Sequence, residues 1–306
     1  MAGPLHFGVQ LATAGVRWSE LLQAAQRVEA LGYDSLWVPD HLTAWEGAVS
    51  RLEAWQTLAA LAMATTTIRL GPLVSPVTFR HPAVLAKMVA TLDHISGGRA
   101  IVGLGGGGMA DEHRHYGLPF GTARERCARL EEAAMVMRSL FDEPVSTFQG
   151  KYYRLQDALA MPKPLQPRLP LLVGGTGRGT MRVAARLGDI WNAIGLPDVF
   201  AAKVPVLRAD IRACGRAPTA VSVTASFRLI IRDGDAGVSR RLRELDPVWH
   251  VDPYRVAGAP RPVLDHLRAF VRAGVNGFIV QVPAPFDFET LERLAGEIRT
   301  ELNPEH

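Results

Sequence analysis

The feature that most constrains this chain is a regular alternation in which eight short apolar runs are each followed by a stretch of helical periodicity. The runs are Leu5–Leu11, Ser35–Val38, Ile68–Val74, Ala100–Gly105, Leu169–Val173, Asp189–Ala193, Val221–Ile231 and Gly277–Val282. Continuous apolar runs of this length fit strands buried on both faces, and strands that alternate with helices build a parallel sheet. Helical segments are expected near Trp18–Leu31, Leu52–Thr65, Pro82–Ile95, Thr122–Phe141, Arg178–Leu187, Val199–Cys214, Pro262–Ala273 and Phe288–Leu302. Gly32, Gly97, Gly188, Gly215 and Gly274 each follow one of them, as left-handed C-caps would. Eight such units predict an α/β (β/α)8 TIM barrel, and 306 residues fit a single barrel domain spanning 1–306. Two connections exceed simple loops, and they predict insertions after strands four and seven: Asp142–Pro167, with a hairpin around Gly150, and Asp233–Ala259, read as a mobile lid with a solvated surface helix as the alternative.

Composition narrows the function. The formal charge of +4 is spread along the chain without a block of like charges, so nucleic acid is not indicated. An arginine excess does suit an anionic small ligand. The sequence has neither a signal-peptide pattern at its start nor a run long enough to span a bilayer, which predicts a cytosolic protein with no membrane partner. Cys127 and Cys214 lie far apart in sequence, so a thiolate metal site is not expected. Glu112, His113 and His115 have no second ligand cluster to complete a coordination shell, and that segment is read as a hydrogen-bonded loop with no metal.

A barrel places its chemistry at the C-terminal ends of the strands. Gln10, Asp40, His41, Val74, the glycines from Gly103, Gly174–Gly179, Asn192 and Gln281 should therefore share one mouth. The run Gly103–Gly108 fits G-x-G-x-x-G, yet it follows a fourth strand and opens no helix directly, so a dinucleotide fingerprint is not supported. Its readings are a close approach of ligand to backbone or a plain turn. Gly174, Gly175, Thr176 and Gly177 end a strand just before a helix, where free amides and the positive dipole end can hold a phosphate; a tight turn is the alternative. His41 is the natural proton donor or acceptor at such a mouth, and Trp45 could stack on a flat ring.

Taken in order, several segments resemble the bacterial-luciferase-like oxidoreductases, and above all their branch that uses the deazaflavin coenzyme F420. They are Ser35–Leu42, Gly71–Val74 with Thr78–Pro82, Ser96–Arg99, Gly103–Gly108 with Glu112–His113 and Tyr116–Gly117, and Gly174–Gly175 with Ala185–Arg186 and Asp189–Asn192. The resemblance implies a TIM barrel with insertions and hydride transfer between F420 and a small organic substrate. It assigns Asp40 and His41 to the cofactor, with His41 in proton transfer, and sets Trp45 beside the reactive ring. It implies a cis peptide between Leu73 and Val74 behind the ring, and it favours a homodimer. With the glycine loops it gives a cofactor set of Asp40, Trp45, Leu73, Val74, Gly105, Gly106, Gly107, Gly108, Gly174, Gly175, Thr176, Gly177 and Asn192, and His41 as the catalytic residue. Reduced FMN with oxygen is the alternative cofactor chemistry, in a monooxygenase. Sugar-phosphate dehydrogenases of the family carry a glutamate where this chain has Gly108, which speaks against that substrate.

Overall fold

Each apolar run becomes a strand of one parallel sheet: β1 (His6–Leu11), β2 (Ser35–Val38), β3 (Arg69–Pro72), β4 (Val102–Gly105), β5 (Leu171–Gly174), β6 (Ile190–Ile194), β7 (Ser222–Ile231) and β8 (Gly277–Val282). The computed structural model describes residues 4–43, 50–245 and 252–302. The strands pair in the order β3-β2-β1-β8-β7-β6-β5-β4. A parallel bridge between Leu70 and Ala100, together with the two-residue strand Ser75–Pro76 paired to Leu104–Gly105, joins the two ends and closes the barrel. Trp37, Ile101, Leu172 and Ile279 form a cluster separate from the larger core, packed by Leu73, Val74 and Ile190, and this cluster fills the lumen. Gly8 is the cost of that filling, because a Cβ there would lie 2.8 Å from the Trp37 indole nitrogen.

The outer ring follows from helix punctuation. The helices used below are α1 (Trp18–Ala30), α2 (Ala54–Ala64), α3 (Pro82–Ser96), α4 (Ala123–Asp142), α5 (Arg178–Leu187), α6 (Pro197–Ala213) and α7 (Pro260–Arg272). A capping box between Thr122 and Glu125 starts α4, and α3 runs from a proline after His81 to Gly97 at φ +68°. Phe270 of α7 stacks on Phe227 of β7 at 5.3 Å; burying such a side chain stabilises the fold by about 1.5–3 kcal/mol. Among the described residues, no helix is long and apolar enough to cross a membrane.

Several expectations need correction. Gly32, Gly97, Gly215 and Gly274 are left-handed caps, but Gly188 has φ −78°. An added Cβ at Gly188 would meet the Ala184 carbonyl at 3.0 Å, so this glycine serves close packing of helix and strand. The final helix is interrupted by a π segment over Leu294–Ile298. The two expected insertions are present: a hairpin of Ser146–Gln149 with Arg154–Ala158, and, after β7, a helix (Asp235–Arg243) and a strand (Arg255–Gly258) paired to β7. The second is no free lid in its described part. Arg241 is buried and reaches Asp287 (3.3 Å) and the Pro285 carbonyl (2.6 Å), while Arg232 holds the same Asp287 at 2.9 Å.

Candidate active site

The strand ends open into one cleft of about 1240 Å³, lined by His41, Val74, Gly105–Gly108, Gly174–Gly177, Asn192, Ser226 and Gln281 and continuing outward over α4 and α5. Of the residues singled out from sequence, His41, Leu73, Val74, Gly105, Gly106, Gly107, Gly108, Gly174, Gly175, Thr176, Gly177 and Asn192 all line it. Trp45 lies outside the described residues. Asp40 does not reach the cleft wall. It is 1% exposed and accepts hydrogen bonds from Ser75 Oγ (2.6 Å) and Arg80 Nη1 (2.6 Å), and Arg80 also grips Glu53. Its visible work is to anchor the turn that carries His41 to the segment after β3.

That segment contains the cis peptide expected at Leu73–Val74. Gln10 Nε2 donates to the Leu73 carbonyl (3.1 Å), which places Gln10 behind the bulge. The bulge also explains glycines that seemed to await a ligand. An added Cβ would lie 2.1 Å from the Pro72 carbonyl at Gly103, 2.4 Å from Val74 Cγ2 at Gly105, and 2.8 Å from Val74 Cγ1 at Gly174. These three glycines make room for the bulge itself. Gly108 differs, because an added Cβ would meet nothing within 4 Å.

The other glycine loop offers anion donors, though fewer than its sequence suggests. Gly175 spends its amide on the Asn192 carbonyl (2.9 Å) and its carbonyl on Trp191 Nε1 (2.9 Å), at φ +137°. Gly177 caps α5 without a side-chain partner, and the Met181 amide returns to the Gly177 carbonyl. The amides of residues 178–180 therefore precede the helical ladder and face the dipole's positive end, the usual cradle for a phosphate. Asn192 is fixed beside them, donating to Thr224 Oγ1 and Ser226 Oγ, each at 2.9 Å.

Sequence reasoning missed the role of Glu112. The segment expected to be a loop forms the short helix Ala110–His115, and Glu112 is 1% exposed within it. Its Oε2 lies 3.0 Å from His41 Nδ1, while Oε1 accepts from the Leu42 amide (2.5 Å) and the Thr43 amide (3.1 Å). An ionised carboxylate can only accept, so Nδ1 carries the hydrogen and the neutral ring keeps its lone pair on Nε2. Burial raises the Glu112 pKa, but the bonds and charge of His41 and the two amides outweigh it and hold the carboxyl below its ordinary value. The signal available in the sequence was a carboxylate four residues past Gly108, in the first turn of a helix. The neighbouring His113 bonds Thr78 Oγ1 (2.6 Å) and the Met109 carbonyl (2.7 Å) and is structural.

The family model for luciferase-like monooxygenases matches residues 3–269. An F420-dependent glucose-6-phosphate dehydrogenase of Kineococcus radiotolerans is 32% identical over 252 residues, 80% of this chain and 74% of that protein. An F420-dependent hydroxymycolic acid dehydrogenase of Mycobacterium tuberculosis is 31% identical over 231 residues, 75% of this chain and 64% of that protein. Among solved structures, an F420-dependent secondary alcohol dehydrogenase in complex with an F420-acetone adduct superposes with a TM-score of 0.82 at 22% identity, covering 99% of both chains. A riboflavin lyase with modified FMN gives 0.85 at 17% identity, covering 99% of this chain and 92% of the other. At those identities the two structures speak to the fold alone.

Proposed function

Because this chain belongs to the luciferase-like monooxygenase family, we propose that it is an F420-dependent oxidoreductase acting on a small, uncharged organic substrate. The observation that carries the reading is the cleft, which is lined both by His41, fixed by a buried carboxylate, and by a glycine turn at a helix N-terminus. A volume of about 1240 Å³ exceeds the roughly 300–1,000 Å³ of ordinary small-molecule pockets, which suits a long cofactor with a substrate beside it. The F420-dependent relatives support the deazaflavin over FMN, since the FMN protein above resembles this chain only in fold.

F420 when bound supplies or accepts the hydride. The chain's own residues do the rest. The amides of residues 178–180 would hold the cofactor's phosphate, and the Val74 bulge and Asn192, fixed by Thr224 and Ser226, would line its site. His41 Nε2 takes or gives the substrate's proton, while Glu112 holds the ring in one tautomer and balances the charge of the protonated form. The arginines that line the cleft, Arg124, Arg126, Arg182 and Arg186, stand on α4 and α5 and not on the strand ends. An uncharged alcohol or its carbonyl counterpart suits the described strand-end lining better than a sugar phosphate.

The fourth-strand loop can be tested without disturbing the fold. Gly108→Val should weaken F420 binding about tenfold, or roughly 1.4 kcal/mol, because a side chain there fills cleft space and touches no protein atom. Unchanged affinity in a fluorescence titration would remove the fourth-strand loop from the cofactor site. The reaction itself is tested by following the deazaflavin absorbance with a panel of neutral alcohols and carbonyls beside glucose 6-phosphate. Turnover confined to the phosphorylated sugar would refute the substrate reading.

A further inference from the structure

Side chains alternate along a strand, so the residues of β8 divide between two faces. Ile279 belongs to the cluster that fills the lumen, whereas Phe278 and Val280 belong to the larger core outside it. Gln281 therefore points the way Ile279 does, one layer nearer the mouth, and it lines the cleft. In register it lies opposite Gln10 of β1 on one side and Arg228 of β7 on the other. Both neighbours are committed. Gln10 donates to the Leu73 carbonyl (3.1 Å), and Arg228 pairs with Asp252 of the insertion at 2.8 Å. The partly buried Gln281 carboxamide makes no hydrogen bond among the described residues. An amide so placed needs a polar partner once a ligand excludes water from the cleft.

We propose that Gln281 binds a second oxygen of the substrate, set apart from the one whose proton His41 would handle. The inference rests on the oxidoreductase reading above. His41 follows β2 and Gln281 lies near the end of β8, with β1 between those strands. Two strand spacings put the carrying strands about 10 Å apart. With the polar tips about as far apart as their strands, a hydrogen bond of about 3 Å at each end leaves roughly 4 Å between two substrate oxygens, which a 1,3-related pair spans. A carboxamide offers both an N–H and a carbonyl, so it takes a hydroxyl or a carbonyl oxygen, and being neutral it does not select an anion. Arg228, the cation of this layer, is already matched by Asp252. The substrate class is thus a 1,3-diol or the corresponding hydroxyketone rather than a simple alcohol.

The test compares butane-1,3-diol with butan-2-ol in F420-loaded protein, with deazaflavin absorbance reporting turnover and the F420 Kd measured alongside. Wild type should favour the diol in kcat/KM by roughly three- to tenfold, the usual worth of one neutral hydrogen bond. Gln281→Met keeps the bulk of the side chain and removes its hydrogen bonding, so it should abolish that preference through a higher KM for the diol. Gln281→Ala should abolish it as well, which separates the lost amide from any effect of the methionine. Equal kcat/KM for the two substrates in wild type, a preference that survives both variants, or equal losses for both substrates would overturn the inference, while turnover of butan-2-ol leaves the oxidoreductase reading intact. Bound F420 with turnover of neither substrate would overturn the neutral-alcohol reading and this inference with it, and failure of F420 to bind would overturn the cofactor reading itself.

Discussion

Replacing His41 with alanine is expected to cut turnover by about 10²–10⁴, the usual contribution of a positioned acid or base, while F420 affinity changes little. The separation follows from placement. His41 sits at the end of β2 with its ring fixed by Glu112, and the phosphate cradle is built by other elements, at the start of α5. Losing the imidazole would remove the proposed proton relay without touching the backbone amides proposed to hold the cofactor. The measurement is kcat with a neutral substrate alongside the cofactor Kd. Near-wild-type turnover in a variant that binds cofactor normally would reassign proton transfer to another group.

Glu112→Gln should be the next most damaging change, with turnover falling roughly 10²-fold for a misaligned ring and cofactor affinity retained. The carboxylate presents acceptors on both sides, one oxygen to His41 and the other to the amides of Leu42 and Thr43. An amide cannot do both. Either the ring or the turn that follows β2 then faces an N–H group, and the His41 tautomer is no longer dictated. A stability signature accompanies this. The folded pKa of Glu112 lies below the unfolded value, so its ionised form favours the native state above about pH 4.3, and that contribution is lost as pH falls through the folded value. Wild type should thus be more stable than Glu112→Gln at neutral pH, with the difference shrinking in acid denaturation below about pH 4. A constant difference down to pH 2 would show that Glu112 is not bonded as its ionised form.

Much of the fold was readable because it rests on local pattern. Eight buried strands leave eight apolar runs, and Gly97, Gly215 and Gly274 sit where only a left-handed residue ends a helix cheaply. The place of the cleft was equally readable, because a barrel gathers its strand ends. What escaped were contacts between distant segments. Nothing in the spacing of His41 and Glu112, 71 residues apart, says that they touch. Glycine identity was ambiguous for a related reason: Gly105 and Gly174 lack a side chain because Val74 occupies the space, whereas Gly108 faces open cleft, and only the three-dimensional surroundings separate the two causes. Asp40 was read with His41 from adjacency, yet the structure turns its carboxylate to Ser75 and Arg80. Arg241, read as part of a mobile lid because the connection after the seventh strand is too long for a turn, is buried against Asp287 instead.

The central claim is dependence on the deazaflavin, and competition between cofactors tests it most directly. Purified protein is titrated with F420 and, separately, with reduced FMN, with ring fluorescence reporting occupancy. The account predicts saturable binding of F420 and no displacement of it by an equal concentration of reduced FMN. Saturable binding of FMN that displaces F420, or failure of F420 to bind at all, would contradict it.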